Sequence, residues 1–224
     1  MHIPDGFLSN NLAGGLLTGA IGMLVYCFSQ ILKTIPVLEE SEVCSTNSRQ
    51  INLQPAEFSK YISKYFYKLG LISIWVFAFQ MFNIPIKSAT SAHLLGGVFA
   101  CVLSGPYAGF IIMSLILTIQ ALLFSDGGLL SLGANILNMA FIGSFLSYYV
   151  YKFFSKKNYY LGIFAASFFS VMTASSACLI ELGLSGSISF STAFKNMMSI
   201  HAAAACLETL MTIILLRIFK TING

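Results

Sequence analysis

Seven apolar stretches, at about 12–32, 69–83, 93–104, 106–124, 135–154, 160–183 and 193–219, are separated by Gly, Pro, Ser, Asn or Lys. A run of ~20 apolar residues crosses the ~30 Å hydrocarbon core of a bilayer, and in lipid the backbone must satisfy its own polar groups, which a helix does. The pattern specifies an all-α, polytopic membrane protein of about seven transmembrane helices. Charged residues make up only 9% of the chain, against about 25% in soluble domains. Seven spans use up most of the 224 residues, so the chain is read as a single transmembrane domain, 1–224, with no soluble catalytic domain. The 93–104 stretch is short for a span, and is expected to be a short or tilted one ended by the turn Ser104-Gly105-Pro106. A net charge of +4, scattered along the chain, gives no continuous basic surface and excludes nucleic acid as the main partner.

Cations orient the spans. With the N-terminus outside, Lys87 and Lys195 are the only cations left outside, and Lys33, Arg49, Lys60, Lys64, Lys68, Lys152, Lys156, Lys157, Arg217 and Lys220 fall inside. His2 and His93 then share the outer face. The one long polar connection, 36–66, is expected to be cytoplasmic and to carry an interfacial amphipathic helix: Phe58, Tyr61, Ile62, Tyr65, Phe66 and Leu69 recur at helical spacing while Lys60, Lys64 and Lys68 form an i, i+4 row. That helix either leads into the second span or docks a partner protein. Gly15 and Gly19 form a GxxxG pair in the first span, and Thr18 with Gly22 a second small pair, which implies close helix packing there. The five cysteines show no CxxC pairing, so neither a disulfide frame nor a zinc site is expected. The N-terminus lacks the basic region of a signal peptide and is expected to be mature, with Met1 retained.

The first two residues carry the most chemistry. The amine of Met1, the backbone nitrogen of His2 and the His2 imidazole can close two adjacent chelate rings on one ion. Nitrogen donors in a plane suit Ni²⁺ and Cu²⁺, imidazole also accepts Co²⁺, and oxygen-seeking Ca²⁺ and Mg²⁺ are disfavoured. Pro4 and Gly6 follow at once and favour a formed turn. His93, in Ser91-Ala92-His93-Leu94-Leu95-Gly96-Gly97, is placed at the start of the third span and can supply a fourth nitrogen; a lone hydrogen-bonded histidine at a helix end is the other reading. His201 and Glu208 lie seven apart on one face of the last helix, either as functional ionisable groups in the membrane or as a buried pair locking that helix to a neighbour through Gln120 or Asn138. Asp126 and Asn135 lie in a polar, Gly-rich outer loop and helix start; Asp126 either caps a turn or stands behind a ligand, and Asn135, His201 and Glu208 are further candidates for standing behind a ligand or for coupling. No GxxxxGK[ST], HExxH or GxSxG occurs, so transport would need an ion gradient or a partner ATPase.

Several of these segments together resemble one family. Met1-His2-Ile3-Pro4-Asp5-Gly6-Phe7-Leu8-Ser9, the His93-Leu94-Leu95-Gly96-Gly97 run, Leu103 to Pro106, Gln120 to Gly128 and Leu132 to Met139 resemble, in order, the motifs of the CbiM/NikM family, the substrate-capturing S components of energy-coupling-factor (ECF) transporters for Co²⁺ or Ni²⁺. The resemblance implies a non-enzymatic import subunit in a bacterial or archaeal cell membrane, with the ion held by Met1, His2 and His93. It also implies a transmembrane coupling subunit, two ATPase subunits and a small accessory membrane subunit as partners. Two segments depart from the family pattern: Ala89-Thr90-Ser91-Ala92 stands where Gly-Thr-Ser-Gly is common, and the stretch from His201 to Glu208 lacks the usual Gly. Two other classes stay open: a haem- or quinone-binding oxidoreductase with His93 and His201 as axial ligands, and a standalone ion-coupled transporter using Glu181 and Glu208.

Overall fold

The computed structural model describes residues 1–45, 55–81, 83–86 and 90–223, at backbone level only for 34–45, 55–59, 61, 83–86, 90–92, 191–192 and 222–223. Among the described residues the regular structure is helical apart from one short hairpin. Its elements are α1 (Asn10–Ser45), α2 (Pro55–Gln80), β1 (Asn83–Ile86), β2 (Thr90–His93), α3 (Gly97–Ser104), α4 (Pro106–Leu123), α5 (Leu132–Asn135), a π-helical segment (Ile136–Leu146), α6 (Ser147–Phe154), α7 (Tyr159–Leu184) and α8 (Phe190–Asn223). Because α5, the π segment and α6 run on without a break, these make seven helical paths. Among the described residues five helices are long and apolar enough to cross a membrane: Asn10–Lys33, Ile62–Gln80, Pro106–Leu123, Tyr159–Leu184 and Ala193–Thr221. Outward faces such as Val25, Phe28, Leu32 and Ile74 are apolar and more than half exposed, as lipid-facing positions are.

The third apolar stretch departs from the expected span. Its start is extended: β2 pairs antiparallel with β1, His93 opposite Asn83, and the eight residues of α3 follow only at Gly97. Eight residues rise about 12 Å, well short of the hydrocarbon core. His93 therefore closes a strand and does not open a helix. The apolar pattern misled because α3 is buried over Gly97 to Cys101 and so is apolar on every side. Pro106 then starts α4 at its first position, where a missing N–H costs nothing.

The polar segment 36–66 is occupied at both ends by helix, since α1 continues to Ser45 and α2 starts at Pro55. Residues 46–54, with Arg49, lie outside the described residues, as do Lys87 and Ala89. Lys60, Lys64 and Lys68 are exposed on α2.

The closest packing falls elsewhere than at the GxxxG pair, of which Gly19 has Leu137 Cδ1 at 3.5 Å from where its Cβ would be. A Cβ added at Gly14, Gly15 or Gly22 would meet open space, whereas one at Gly133 would lie 2.3 Å from Leu17 Cα, where α5 crosses α1. One at Gly97 would lie 2.5 Å from the Gly143 carbonyl oxygen, so α3 sits directly against the π segment. Small buried residues of α7 (Ala166, Ser167, Ser170, Ala174, Ser175) let that helix approach its neighbours, and the Ser170 hydroxyl donates to the Gly143 carbonyl at 2.7 Å.

Candidate metal site

The N-terminal segment is built into the protein. Met1, His2 and Ile3 are all buried, at 0%, 4% and 0% exposure. Asn135 holds both polar atoms of Ile3: its Oδ1 accepts from the Ile3 N–H at 2.9 Å and its Nδ2 donates to the Ile3 carbonyl at 3.2 Å. The same carbonyl accepts from the Gly128 N–H at 2.9 Å and from the Ser131 hydroxyl. Asp5 accepts from the N–H groups of Leu129, Leu130 and Ser131 just ahead of α5, where a carboxylate meets unpaired amides and the positive end of the helix. This proximity demands glycine: a Cβ at Gly128 would lie 1.9 Å from Asp5 Oδ1, and Gly127 has φ +88°. On the other side, Ser187 donates to the Phe7 carbonyl and Ser185 Oγ accepts from the Ser9 N–H at 3.1 Å. Ile3 itself packs with Ala134, Leu179, Leu182 and Met197. Residues 1–9 are thus stitched between the loop before α5 and the turn after α7.

This stitching brings the two histidines together. The rings of His2 and His93 lie 4.6 Å apart, centroid to centroid, at 70°. His2 Nδ1 is 2.8 Å from Asp126 Oδ1. His93 Nδ1 is 3.1 Å from the Leu94 carbonyl oxygen. A carbonyl only accepts, so that nitrogen carries the proton and Nε2 carries the lone pair. The Nε2 atoms of His2 and His93 are buried and meet no hydrogen-bond partner among the described residues. Burial lowers the Met1 amine from its ordinary value near 8 to about 6. Burial, with the neighbouring His2 and amino-terminal charges, holds His93 well below the usual imidazole range. For Asp126 burial pushes upward, but the contact with His2 and the nearby positive charge outweigh it and the carboxyl falls below its usual range. Near neutral pH, then, Met1 and His93 present unprotonated nitrogens beside a carboxylate. Such donors suit a borderline transition metal.

The remaining polar residues have separate partners. His201 is fully buried, with Nδ1 2.7 Å from the Met197 carbonyl one turn earlier in α8 and Nε2 unpartnered among the described residues. Glu208 does not pair with Gln120 or Asn138. Its two oxygens accept from the N–H groups of Leu95 and Gly96, each at 2.8 Å. Asn138 donates to Glu181 at 2.7 Å, and the Gln120 side chain is buried without a partner among the described residues. Sequence reasoning passed over Asp5, Ser131 and Gln80; an acid five residues into an otherwise apolar terminus was the signal for the first. Among the described residues no three His, Cys, Asp or Glu side chains converge on one point, and two of the four nitrogens at issue belong to the backbone of residues 1 and 2.

Residues 56–223 match the family described as the cobalt uptake substrate-specific transmembrane region, CbiM, which is three quarters of the chain. The chain belongs to the CbiM family. The family is one of membrane transport components, not enzymes, and the chain is a multi-pass membrane member of it. A relative in Archaeoglobus fulgidus, whose name is that of a fused nickel transport protein, NikMN, is 35% identical over 190 residues, 85% of this chain and 55% of that protein. The fused nickel transport protein NikMN of Rhodobacter capsulatus is 34% identical over 151 residues, 67% of this chain and 36% of that protein. The cobalt transport protein CbiM of Thermosipho melanesiensis is 35% identical over 100 residues, 45% of this chain and 43% of that protein. The chain spans about half the length of the fused relatives named LarMN and NikMN that it matches over most of its own length. A crystal structure of a truncated transition metal transporter superposes with TM-score 0.80 and 28% identity, covering 100% of both chains. That likeness includes residues 1–9, which lie ahead of the family match.

Proposed function

We propose that this CbiM-family chain is the substrate-capturing subunit of an ECF-type importer, and that it takes up Ni²⁺ or Co²⁺ on the outer face of a bacterial or archaeal cell membrane. The ion is held by the Met1 amine, the His2 amide and imidazole, and the His93 imidazole. The observation that carries this is the burial of the chain terminus against His93, with the two rings 4.6 Å apart. Amine and amide nitrogens close a five-membered ring on the ion, and amide and Nδ1 of His2 close a six-membered one. His93 Nε2 completes the plane, its tautomer already set by the Leu94 carbonyl. His2 Nδ1 exchanges its contact with Asp126 for the ion as its proton moves to the unpartnered Nε2, and the carboxylate remains beside it as counter-charge. Outside placement of this end is supported by the opposite end of the helices, where Lys33, Lys156, Lys157 and Lys220 are exposed.

The sequence has no nucleotide-binding motif, so energy comes from partners: a transmembrane coupling subunit, two ATPase subunits and a small accessory membrane subunit, the last in keeping with fused relatives named NikMN. Transport by reconstituted vesicles only when the coupling and ATPase subunits are present supports this; transport by the chain alone, driven by an ion gradient, would overturn it. The redox alternative is not retained, because CbiM is a transport family and the His93 ring packs on His2, not opposite His201 across a cofactor. Metal binding is tested by titrating Ni²⁺ and Co²⁺ into variants. His2→Ala and His93→Ala should abolish tight binding, and so should acetylation of the terminus or an Ala inserted between Met1 and His2. Undiminished affinity in the acetylated protein would remove the amine from the ligand set.

A further inference from the structure

Residues 94–96 form a non-helical stretch inside a membrane protein, between the end of β2 and the start of α3. Glu208, to which this stretch is hydrogen-bonded, lies near the middle of the Ala193–Thr221 span, so His93 is followed by irregular backbone at membrane depth. There, an unpaired N–H or C=O finds no water to bond, and such backbone persists only where protein groups satisfy it. Two buried side chains from two different helices do so. Glu208 of α8, 2% exposed, accepts from the N–H groups of Leu95 and Gly96, and Gln80 of α2, 1% exposed, donates its Nε2 hydrogen to the Leu95 carbonyl at 2.8 Å. Both faces of the Leu95 residue are pinned. The loop takes its shape from this clamp and from Gly96 at φ +68°, against which Val76 of α2 packs at 3.2 Å from where a Cβ would be.

Resting on the metal-binding reading above, we infer that Glu208 is a positioning residue for His93: with Gln80 it clamps the Leu95–Gly96 backbone so that His93 Nε2 is held where the fourth nitrogen of the ion's plane must be. Glu208 does not touch the ion. It bonds the backbone two and three residues beyond the ligand, and a membrane interior tolerates such a carboxyl group only when it is hydrogen-bonded. Glu208→Gln keeps one acceptor but sets an NH₂ against a backbone N–H, so one of the two anchors is lost and a donor faces a donor.

The test is a double-mutant cycle on the full chain in detergent, read by Ni²⁺ titration and by the visible ligand-field band of bound Ni²⁺. Glu208→Gln is expected to weaken Ni²⁺ binding by about 10- to 100-fold, as losing the support behind a metal ligand does, and to move the band toward that of His93→Ala. In the His93→Ala background the same change should add less than about threefold, since the residue it acts through is gone. A full additive loss in that background, or wild-type affinity and spectrum in Glu208→Gln, would overturn the positioning role while leaving the site intact. Undiminished affinity in His93→Ala would instead overturn the metal-binding reading itself. If Glu208→Gln does not fold, Glu208→Asp carries the test: it keeps the charge, withdraws the carboxylate by one methylene, and should give the same band shift at smaller amplitude, an unshifted band again refuting the role.

Discussion

Asn135→Ala isolates what fixes the terminus, because Asn135 is donor and acceptor for Ile3, the residue that follows the proposed ligands Met1 and His2. The two hydrogen bonds are unequal in consequence. The Ile3 carbonyl retains Gly128 N–H and Ser131 Oγ when Asn135 is truncated, but no other acceptor for the Ile3 N–H occurs among the described residues. A buried donor left unmade costs about 1–3 kcal/mol. If the segment frays to avoid that cost, the ion must restore the order on binding, and the same energy appears as weaker affinity. At 1.4 kcal/mol per tenfold, the loss for Ni²⁺ is roughly 5- to 140-fold. Ser131→Ala is the internal control: it removes one of three donors to the Ile3 carbonyl and orphans nothing, so its net cost should be about 0.5–1.5 kcal/mol. Calorimetric titration of Ni²⁺ at pH 7 reads both, and hydrogen exchange at residues 2–6 reports whether the segment has loosened. Wild-type affinity in a folded Asn135→Ala protein, or a larger loss in Ser131→Ala than in Asn135→Ala, would refute the clamp.

Thermal stability of the metal-free protein should rise between pH 6 and pH 8. The folded Met1 amine titrates at about 6 and the unfolded one near 8, so the unfolded chain binds more protons in this window, and up to about 3 kcal/mol is lost as pH falls through it. A melting temperature flat across that range, or one that falls with pH, would contradict the buried amine. Gly128→Ala places a methyl group on Asp5 and should expel residues 1–6, eliminating tight metal binding while far-ultraviolet dichroism keeps its helical signal. His201→Ala should change Ni²⁺ affinity by less than about tenfold, because its ring is bonded within its own helix and stands outside the proposed ligand set; a complete loss by titration would enlarge that set.

The proposed ligand set could be read from the sequence because chelation by residues 1 and 2 would be a local property, and the cation count alone put His2 and His93 on one face, where the structure brings their rings to 4.6 Å. The clamp could not be reached. Asn135, Ser131 and Asp5 meet Ile3 and the loop before α5 across more than 120 positions, and hydrogen bonds of that separation leave no periodic trace. The depth of Glu208 was misleading for a related reason. Its place in the apolar run reads as far from the outer site, yet the extended stretch at 94–96 descends to meet it. Apolar patterning records burial, and it reads the same for α3, for the extended approach to it and for the π segment Ile136–Leu146. It therefore gave the number of helical paths but neither the hairpin nor the π turn.

Charge balance explains why a site for a divalent ion has so few acids. Burying an uncompensated dication is prohibitive, and neutral nitrogen donors bring no negative charge. On the proposed reading the ion displaces the His2 amide proton, which supplies one negative charge from the backbone, and Asp126, ionised beside His2, supplies the second. The sum is zero with a single carboxylate, and that carboxylate is partly exposed, at 29%, beside His2. The amine and His93 are already unprotonated near neutral pH, the Nδ1 proton that His2 directs at Asp126 moves to its unpartnered Nε2, and the amide proton is the one left for the ion to expel. Capture then takes a hydrated ion into a closed, electrically neutral complex made of the chain's first residues and one loop. Release has only to return that proton or displace His93, the donor that the clamp between α2 and α8 holds in place.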